Sequence, residues 1–376
     1  MLTFKVYMRR LLQKWFKQPL IRLADKYSSR PDAVRVHGAL TALYNSLITN
    51  NGKRGIIIPF DAEKDKFVIL SDQHKGARNH ADDFVLSEKN YLAALDYYGQ
   101  QQYHYINLGD SEELWENGIL AVKKHNKATF EKEKLFLKSN AFIKIFGNHD
   151  LYWDNDPLAG IMLEQIYGVP VKIYEGVILQ TKVNNKPLSI YLTHGHQGDL
   201  QSDGNWFSKW FVANVWGPLQ AYLEINPNTP ATNDHLKTQH NQIMYEWSSR
   251  QNNLLLITGH THQPVFRSLT HLERLYIDLE KAEQQGDTAV AQSLRAQINK
   301  HVLKGDAKFS FPGYRPSYFN TGCCCYDDGD ITGIEITEGC MRLIKWEYDK
   351  AGQPERIVLD ESKLDEILTG LAEIRQ

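Results

Sequence analysis

An α/β fold is what the sequence predicts, and two observations carry the prediction. Short apolar runs of strand length alternate with stretches of helical periodicity; the clearest runs are Phe67-Val68-Ile69-Leu70, Tyr105-Ile106-Asn107-Leu108, Phe142-Ile143-Lys144-Ile145-Phe146 and Leu254-Leu255-Leu256-Ile257. Each run also breaks at once into polar residues: Ser71-Asp72-Gln73-His74, Gly109-Asp110, Gly147-Asn148-His149-Asp150 and Thr258-Gly259-His260-Thr261-His262. In open α/β sheets, ligands sit at the carboxyl edge of the strands, where these polar residues open.

Taken in order, residues 1–23 carry basic residues (Lys5, Arg9, Arg10, Lys14, Lys17, Arg22) and no acidic ones. As a helix they would place Phe4, Met8, Leu11, Leu12 and Trp15 on one face. Such a helix commonly packs on the protein body, and it also suits the surface of an anionic membrane. A second helix is expected over 31–49, entered at Pro31-Asp32. After the first strand, a helix from Ser87 packs through Tyr91, Leu92, Leu95 and Tyr98. Ser111 to Trp115 should begin another, and 128–138 a further one. Asp156-Pro157 is a helix start and Gly168 a stop. Two strands follow near 171–180 and 188–193, the second ending in Thr193-His194-Gly195-His196. Tyr318 to Gly322 reads as a strand and turn. Residues 331–338 and 341–348 alternate like a hairpin around Glu338-Gly339. A short amphipathic helix is expected over 362–375.

Two segments interrupt this scaffold. Residues 200–250 are dense in aromatics (Trp206, Phe207, Trp210, Phe211, Trp216, Tyr222, Trp247), and 268–303 reads as two helices broken near Gln285-Gly286-Asp287. The organisation expected is an N-terminal helical segment over 1–50, a main domain over 51–359 with helical insertions at 200–250 and 268–303, and a C-terminal helix over 360–376.

Composition narrows the class. The 376 residues are 42% hydrophobic and 23% charged, with a net charge of −2, which is ordinary for a globular protein and offers no global attraction for nucleic acid. The four cysteines (Cys323, Cys324, Cys325, Cys340) make no disulfide framework and no Cys-x-x-Cys zinc pair, so a reduced, cytoplasmic compartment is expected. No apolar run approaches the ~18–20 residues that span a bilayer, and residues 1–23 lack the apolar core of a secretory signal.

The strand ends together supply Asp72, His74, Asp110, Asn148, His194, His260 and His262. Carboxylate, amide and imidazole donors suit divalent ions such as manganese, iron or zinc. In an extended chain, alternate residues point the same way, so Asp-x-His and His-x-His pairs can each serve one site. The set has the size needed for a two-ion centre.

The order Asp-x-His, Gly-Asp, Gly-Asn-His-Asp, His-Gly and Gly-His-x-His resembles the calcineurin-like metallophosphoesterase family, over about Lys66 to Gly322. The resemblance implies a four-layer α/β/β/α sandwich with helical insertions, and two divalent ions between the ends of two sheets, manganese being the first expectation. Carried over by position, one ion corresponds to Asp72, His74 and His262, the other to Asn148, His194 and His260, and Asp110 bridges them. A water between the ions would be the nucleophile that attacks phosphorus. His149 would face the substrate and protonate the leaving oxygen or stabilise phosphoryl charge, and Asp150 would hold His149 in orientation. His196 is expected to back a ligand or face the substrate. Arg78, on the loop with Asn79 and His80, is a candidate phosphate clamp, against the alternative of a solvated loop. Gln197 and Asp199 are open in the same way. Cys323 to Cys325 are expected to be small apolar core residues.

The expected partner is a phosphorylated small molecule or a lipid-linked substrate. Family members that hydrolyse the pyrophosphate of a UDP-diacylglucosamine carry an insertion where residues 200–250 lie and are peripheral membrane proteins. Contact through residues 1–23 with the inner face of the membrane would fit that branch. Aromatics at helical spacing are, however, more often core than pocket. A non-catalytic scaffold is disfavoured because His149 and all seven ligand positions are kept, and a nuclease because the net charge offers no support.

Overall fold

The computed structural model describes residues 32–79, 82–198, 234–303 and 315–372. The expectations placed on residues 1–23, His80, Asp199 and Trp206 to Tyr222 lie outside them. Among the described residues, helix α1 spans Ala33–Thr49 and is capped by the Asp32 carboxylate, which accepts from the Arg35 amide at 2.9 Å. Strands β1 (Gly55–Pro59) and β2 (Phe67–Leu70) follow, then α2 (Glu88–Gln100) and β3 (His104–Leu108). Next come α3 (Ile119–His125), α4 (Lys127–Lys138) and β4 (Phe142–Ile145), then the short α5 (Tyr152–Asn155) and α6 (Ala159–Tyr167). Strands β5 (Ile173–Tyr174), β6 (Gly176–Val183) and β7 (Lys186–Thr193) precede α7 (Asp234–Ser248) and β8 (Leu254–Thr258). The short β9 (Val265–Phe266) and β10 (Leu269–Thr270) lead into the hairpin of α8 (His271–Gln285) and α9 (Thr288–Leu303). The chain closes with β11 (Tyr318–Asn320), β12 (Ile331–Thr337), β13 (Cys340–Tyr348), β14 (Pro354–Lys363) and α10 (Leu364–Ala372).

The strands form two seven-stranded sheets, ordered β1-β6-β7-β8-β11-β9-β10 and β14-β13-β12-β2-β3-β4-β5. Side-chain alternation builds the four layers. Phe67, Ile69, Ile106 and Leu108 of one sheet meet Val177, Leu179, Ile190, Leu192, Leu255 and Ile257 of the other in a shared inter-sheet core. The residues between them face outward. Val68, Leu70 and Tyr105 pack under α2 and α4 through Tyr91, Leu95, Tyr98 and Phe136. Ile178, Tyr191, Leu254 and Leu256 pack under α1 and α7 through Val36, Leu40, Ile243 and Trp247. The arrangement is the expected α/β/β/α sandwich.

Several elements differ from the sequence reading. Residues 111–118 contain no helix; Glu112 is held in a parallel bridge with Lys75, residues 114–116 turn, and helix begins only at Ile119. Strand β1 was not foreseen, nor was β14, which occupies 354–363 so that the last helix begins at Leu364 rather than 362. β14 is a sheet edge with half-exposed Val358 and Leu359, and it lacks the apolar run that marks a buried strand. At Asp156-Pro157 the carboxylate accepts from the Leu158 amide at 2.7 Å and the helix starts at Ala159; Gly168, at φ 77°, ends it. The α8–α9 hairpin forms as expected, with a Thr270–Glu273 capping box, a left-handed Gly286 at its break and a small core of Leu272, Leu275 and Ile298. Trp247 is buried in the outer core beside Tyr191, ring centroids 5.8 Å apart, so this member of the aromatic segment belongs to the scaffold.

Candidate active site

The seven expected ligands come together where β2, β3, β4, β7 and β8 end. His74 Nε2 lies 3.2 Å from His262 Nε2, and Asp72 Oδ1 lies 3.2 Å from the same His262 nitrogen. On the other side, His194 Nε2 is 3.1 Å from Asp110 Oδ2 and 3.2 Å from Asn148 Oδ1. His260 joins Asp110 and His194 in a cluster whose donor atoms lie within 4.8 Å of one another. Asp110 Oδ2 is also 3.9 Å from His74 Nε2, so one carboxylate faces both groups.

These spacings fit metal ions. Ligands about 2.1 Å from a shared cation stand about 3 Å apart, which is the separation seen here between unlike and like donors alike. The ring of His260 is held neutral, its pKa driven well below the usual value by burial and by the neighbouring His240 and His194, which leaves a lone pair to donate. Asp110 stays ionised: burial alone would raise its pKa, but His194, His149 and His74 hold it well below the usual carboxylate range.

The backbone that aims these groups is not an extended strand. Asp72 (φ 53°), His74 (φ 49°), Asp110 (φ 48°), His260 (φ 70°) and His262 (φ 56°) all occupy the left-handed region beyond the strand ends. Strand alternation therefore does not explain how Asp72 and His74, or His260 and His262, reach the cluster. Cross-braces between loops do: Asp72 N donates to Gly109 O and His74 N to Asp110 O, each at 3.0 Å, while His260 N donates to Asp72 Oδ2 at 3.0 Å. Such conformations cost about 1–3 kcal/mol each and cluster at functional sites. The φ of Gly147 is not left-handed, but a Cβ there would lie 2.2 Å from Asp110 Oδ1, so the residue makes room for the Asp110 carboxylate.

His149 is buried beside this cluster, and its orientation comes from Glu113, not from Asp150. Nδ1 of His149 lies 2.6 Å from Glu113 Oε2, and Nδ1 of His74 lies 3.0 Å from the same oxygen. Asp150 instead accepts from the amides of Gly147 (2.6 Å) and Ser111 (2.9 Å), tying the β4 turn to the β3 loop. Burial, then Asp110 and Glu112, raise its pKa to about 6. Burial would lower the His149 pKa, but Glu113 and Asp110 outweigh it and raise the value to about 9. Glu113 is carried to about 2, burial being overcome by His149 and His74. The Trp115 indole stacks on the His149 ring, centroids 4.1 Å apart and planes 21° from parallel.

The remaining candidates fall elsewhere. Arg78 pairs with Glu88 at 2.5 Å and reaches the His125 carbonyl at 3.3 Å, so its guanidinium is spent on α2 and the end of α3 rather than on the cluster. His196 is buried, its ring 5.4 Å from His194 and 6.0 Å from Phe146, a position that backs a ligand. Cys324 is the apolar residue expected, in the core with Val68 and Leu70. Cys325 is not: its sulfur lies 3.8 Å from His262 Nδ1, on the opposite edge of the ring from the nitrogen that faces Asp72.

Sequence reasoning missed Glu113, Trp115 and the support beneath them. Lys75, Glu112, Glu133 and Lys144 are fully buried and paired: Lys75 to Glu133 at 2.7 Å and to Glu112 at 3.2 Å, Lys144 to Glu112 at 2.9 Å. Trp153 Nε1 donates to Glu112 at 2.7 Å, and Tyr167 donates to Glu133 at 2.6 Å. The available signal was adjacency, since Lys75 follows His74 and Glu112 and Glu113 follow Asp110 by two and three positions.

The calcineurin-like phosphoesterase family profile matches residues 65–264, more than half the chain and all the loops just described. The protein belongs to the calcineurin-like phosphoesterase family. It is accordingly a metal-dependent phosphoric ester hydrolase. Among solved structures, the chain is similar to Vacuolar Protein Sorting 29 from Cryptosporidium parvum (12% identity, 80% of this chain and 98% of that one, TM-score 0.32). It is similar also to a dimetal phosphatase from Danio rerio (10% identity, 79% of this chain and 100% of that one, TM-score 0.34). Likeness at that level carries no argument about substrate. No curated protein matches the chain.

Proposed function

We propose that this chain hydrolyses a phosphoester or pyrophosphate bond with two divalent ions held by Asp72, His74 and His262 on one side and Asn148, His194 and His260 on the other, with Asp110 between them. The observation that carries the reading is the position of Asp110 Oδ2, within 3.1 Å of His194 Nε2 and 3.9 Å of His74 Nε2. Bound ions supply the charge that activates water and neutralises phosphoryl oxygens. The chain's own residues do the rest. His149, kept protonated by Glu113 and Asp110, presents a proton to the leaving oxygen. Glu113 fixes the direction of both His149 and His74 through one oxygen, and Trp115 closes one face of the His149 ring. The donor set is compatible with manganese, iron or zinc; manganese remains our assignment.

A second, narrower reading is a UDP-diacylglucosamine-type lipid pyrophosphatase working at the inner face of the membrane. The half-buried Trp115 beside His149 favours a substrate with an apolar or aromatic part, and the basic, tryptophan-bearing stretch 1–23 favours an anionic surface. No described helix is long and apolar enough to cross a membrane. A screen of metal-reconstituted protein against phosphomonoesters, phosphodiesters, nucleotide pyrophosphates and nucleotide-linked lipids tests both. Turnover of any class that requires divalent metal supports the first reading, and preference for the lipids supports the second. No turnover of any class with any of the three metals contradicts both.

A further inference from the structure

The helix that ends the first insertion, α7, reaches both histidine loops. His240 Nε2 lies 2.8 Å from the carbonyl oxygen of Gly195, the residue between His194 and His196. A carbonyl only accepts, so Nε2 carries the proton of this bond. The same imidazole stands edge-on to His260, ring centroids 5.2 Å apart. One position on, Asn241 Oδ1 accepts from Thr261 Oγ1 (3.1 Å) and from Tyr318 OH (2.8 Å), while its Nδ2 donates to Gln263 Oε1 (2.9 Å). Thr261 lies between His260 and His262. Both His240 and Asn241 are buried, and the next turn of α7 is anchored in the outer core by Ile243, Met244 and Trp247.

We propose that His240 and Asn241 are positioning residues through which the inserted helix sets the metal position formed by Asn148, His194 and His260. The Gly195 peptide, at φ 110°, is held on both sides: its N–H donates to Gln197 Oε1 at 3.0 Å within the loop, and its carbonyl accepts from His240, the bond through which α7 bears on how the loop presents His194. Asn241, through Thr261, bears in the same way on the loop that carries His260 and His262. Helix α7 is thus part of the metal-binding apparatus, holding two loops in register. Losing an outer partner of a metal ligand commonly costs about ten- to a hundredfold in metal affinity.

This inference rests on the two-ion reading, and the experiment separates the two. The full chain is titrated with Mn²⁺, binding being followed by electron paramagnetic resonance, for wild type, His240→Ala, His240→Gln and Asn241→Ser. Thermal melts of the metal-free proteins check folding. Wild type should take up two ions; a wild type that does not contradicts the function reading and removes this inference with it. In His240→Ala, one ion should bind as in wild type and the other about ten- to a hundredfold more weakly, with the spin-coupled signal of the pair lost at two equivalents. His240→Gln, which keeps an N–H for Gly195, should restore most of it. Asn241→Ser loosens the loop that carries one expected ligand of each ion, His260 and His262, so it should weaken both ions, and it keeps the claim testable if His240→Ala does not fold. Unchanged affinity for both ions in His240→Ala and Asn241→Ser, equal weakening of both in His240→Ala, or no rescue by glutamine overturns the proposal.

Discussion

Glu113 Oε2 stands 2.6 Å from Nδ1 of His149, and the same oxygen stands 3.0 Å from Nδ1 of His74. One carboxylate oxygen therefore orients an expected metal ligand and the expected proton donor together. The charge state of His149 and the aim of His74 are linked through it.

From that link follows a pH dependence. With a pKa raised to about 9, His149 is protonated at neutral pH and loses its proton as pH rises through that value; bound cations push the transition lower. Turnover should fall on the alkaline side. Glu113→Gln removes the carboxylate that raises this pKa, so the descending limb should move to lower pH. The same pair contributes stability below the unfolded histidine value, lost as pH rises through about 9, and stability above the unfolded glutamate value, lost as pH falls through about 2. A pH–rate profile of both proteins checks it, and an unmoved alkaline limb in Glu113→Gln contradicts the account.

His149→Ala should leave metal content intact and lower turnover by about 10²–10⁴-fold on a substrate with a poor leaving group. The loss should be smaller on an activated aryl phosphate, whose leaving oxygen needs no proton. Equal losses on the two substrates would speak against proton donation.

Trp115→Ala uncovers the His149 ring. Stacking of this kind is worth about 0.5–1.5 kcal/mol, so turnover should drop by roughly two- to tenfold, and Trp115→Phe should retain most of it. Steady-state kinetics on the three proteins read the effect.

Glu112 is ionised between two buried lysines, Lys75 and Lys144. Burial raises its pKa, but Lys144 and Lys75 bring it to about 2. Glu112→Gln leaves lysine charge in the interior without its partner, a change that typically costs about 3–5 kcal/mol. Chemical denaturation should show a loss of that order, and a loss below about 1 kcal/mol would mean that the network is far more hydrated than its burial indicates.

The strands that carry the site were legible in the sequence because they are buried on both faces and so read as continuous apolar runs. The clustered carboxylates and histidines were legible because each follows such a run directly. Edge elements were not: β14 has a polar, half-exposed pattern, and β1 is a five-residue run that opens on Gly55, ends on Pro59 and is followed by no histidine or asparagine. Glu113 escaped because residues 111–115 have helical composition, while their backbone forms a bridge from Glu112 to Lys75 followed by a turn. Arg78 misled because its partner Glu88, ten residues on, is a tertiary contact. His240 lies inside an ordinary helix, and only the packing of α7 over the loops gives it a role. Even for Asp72 and His74, which the structure brings into the cluster, strand alternation is not what aims them; left-handed backbone does.

The central claim is that Asp110 joins two metal positions. Metal content of the purified, reconstituted protein, counted per chain for wild type and Asp110→Ala, tests it most directly. About two divalent ions in wild type and loss of the pair in Asp110→Ala is the predicted result; undiminished stoichiometry in Asp110→Ala, or a wild type that retains none, would contradict it.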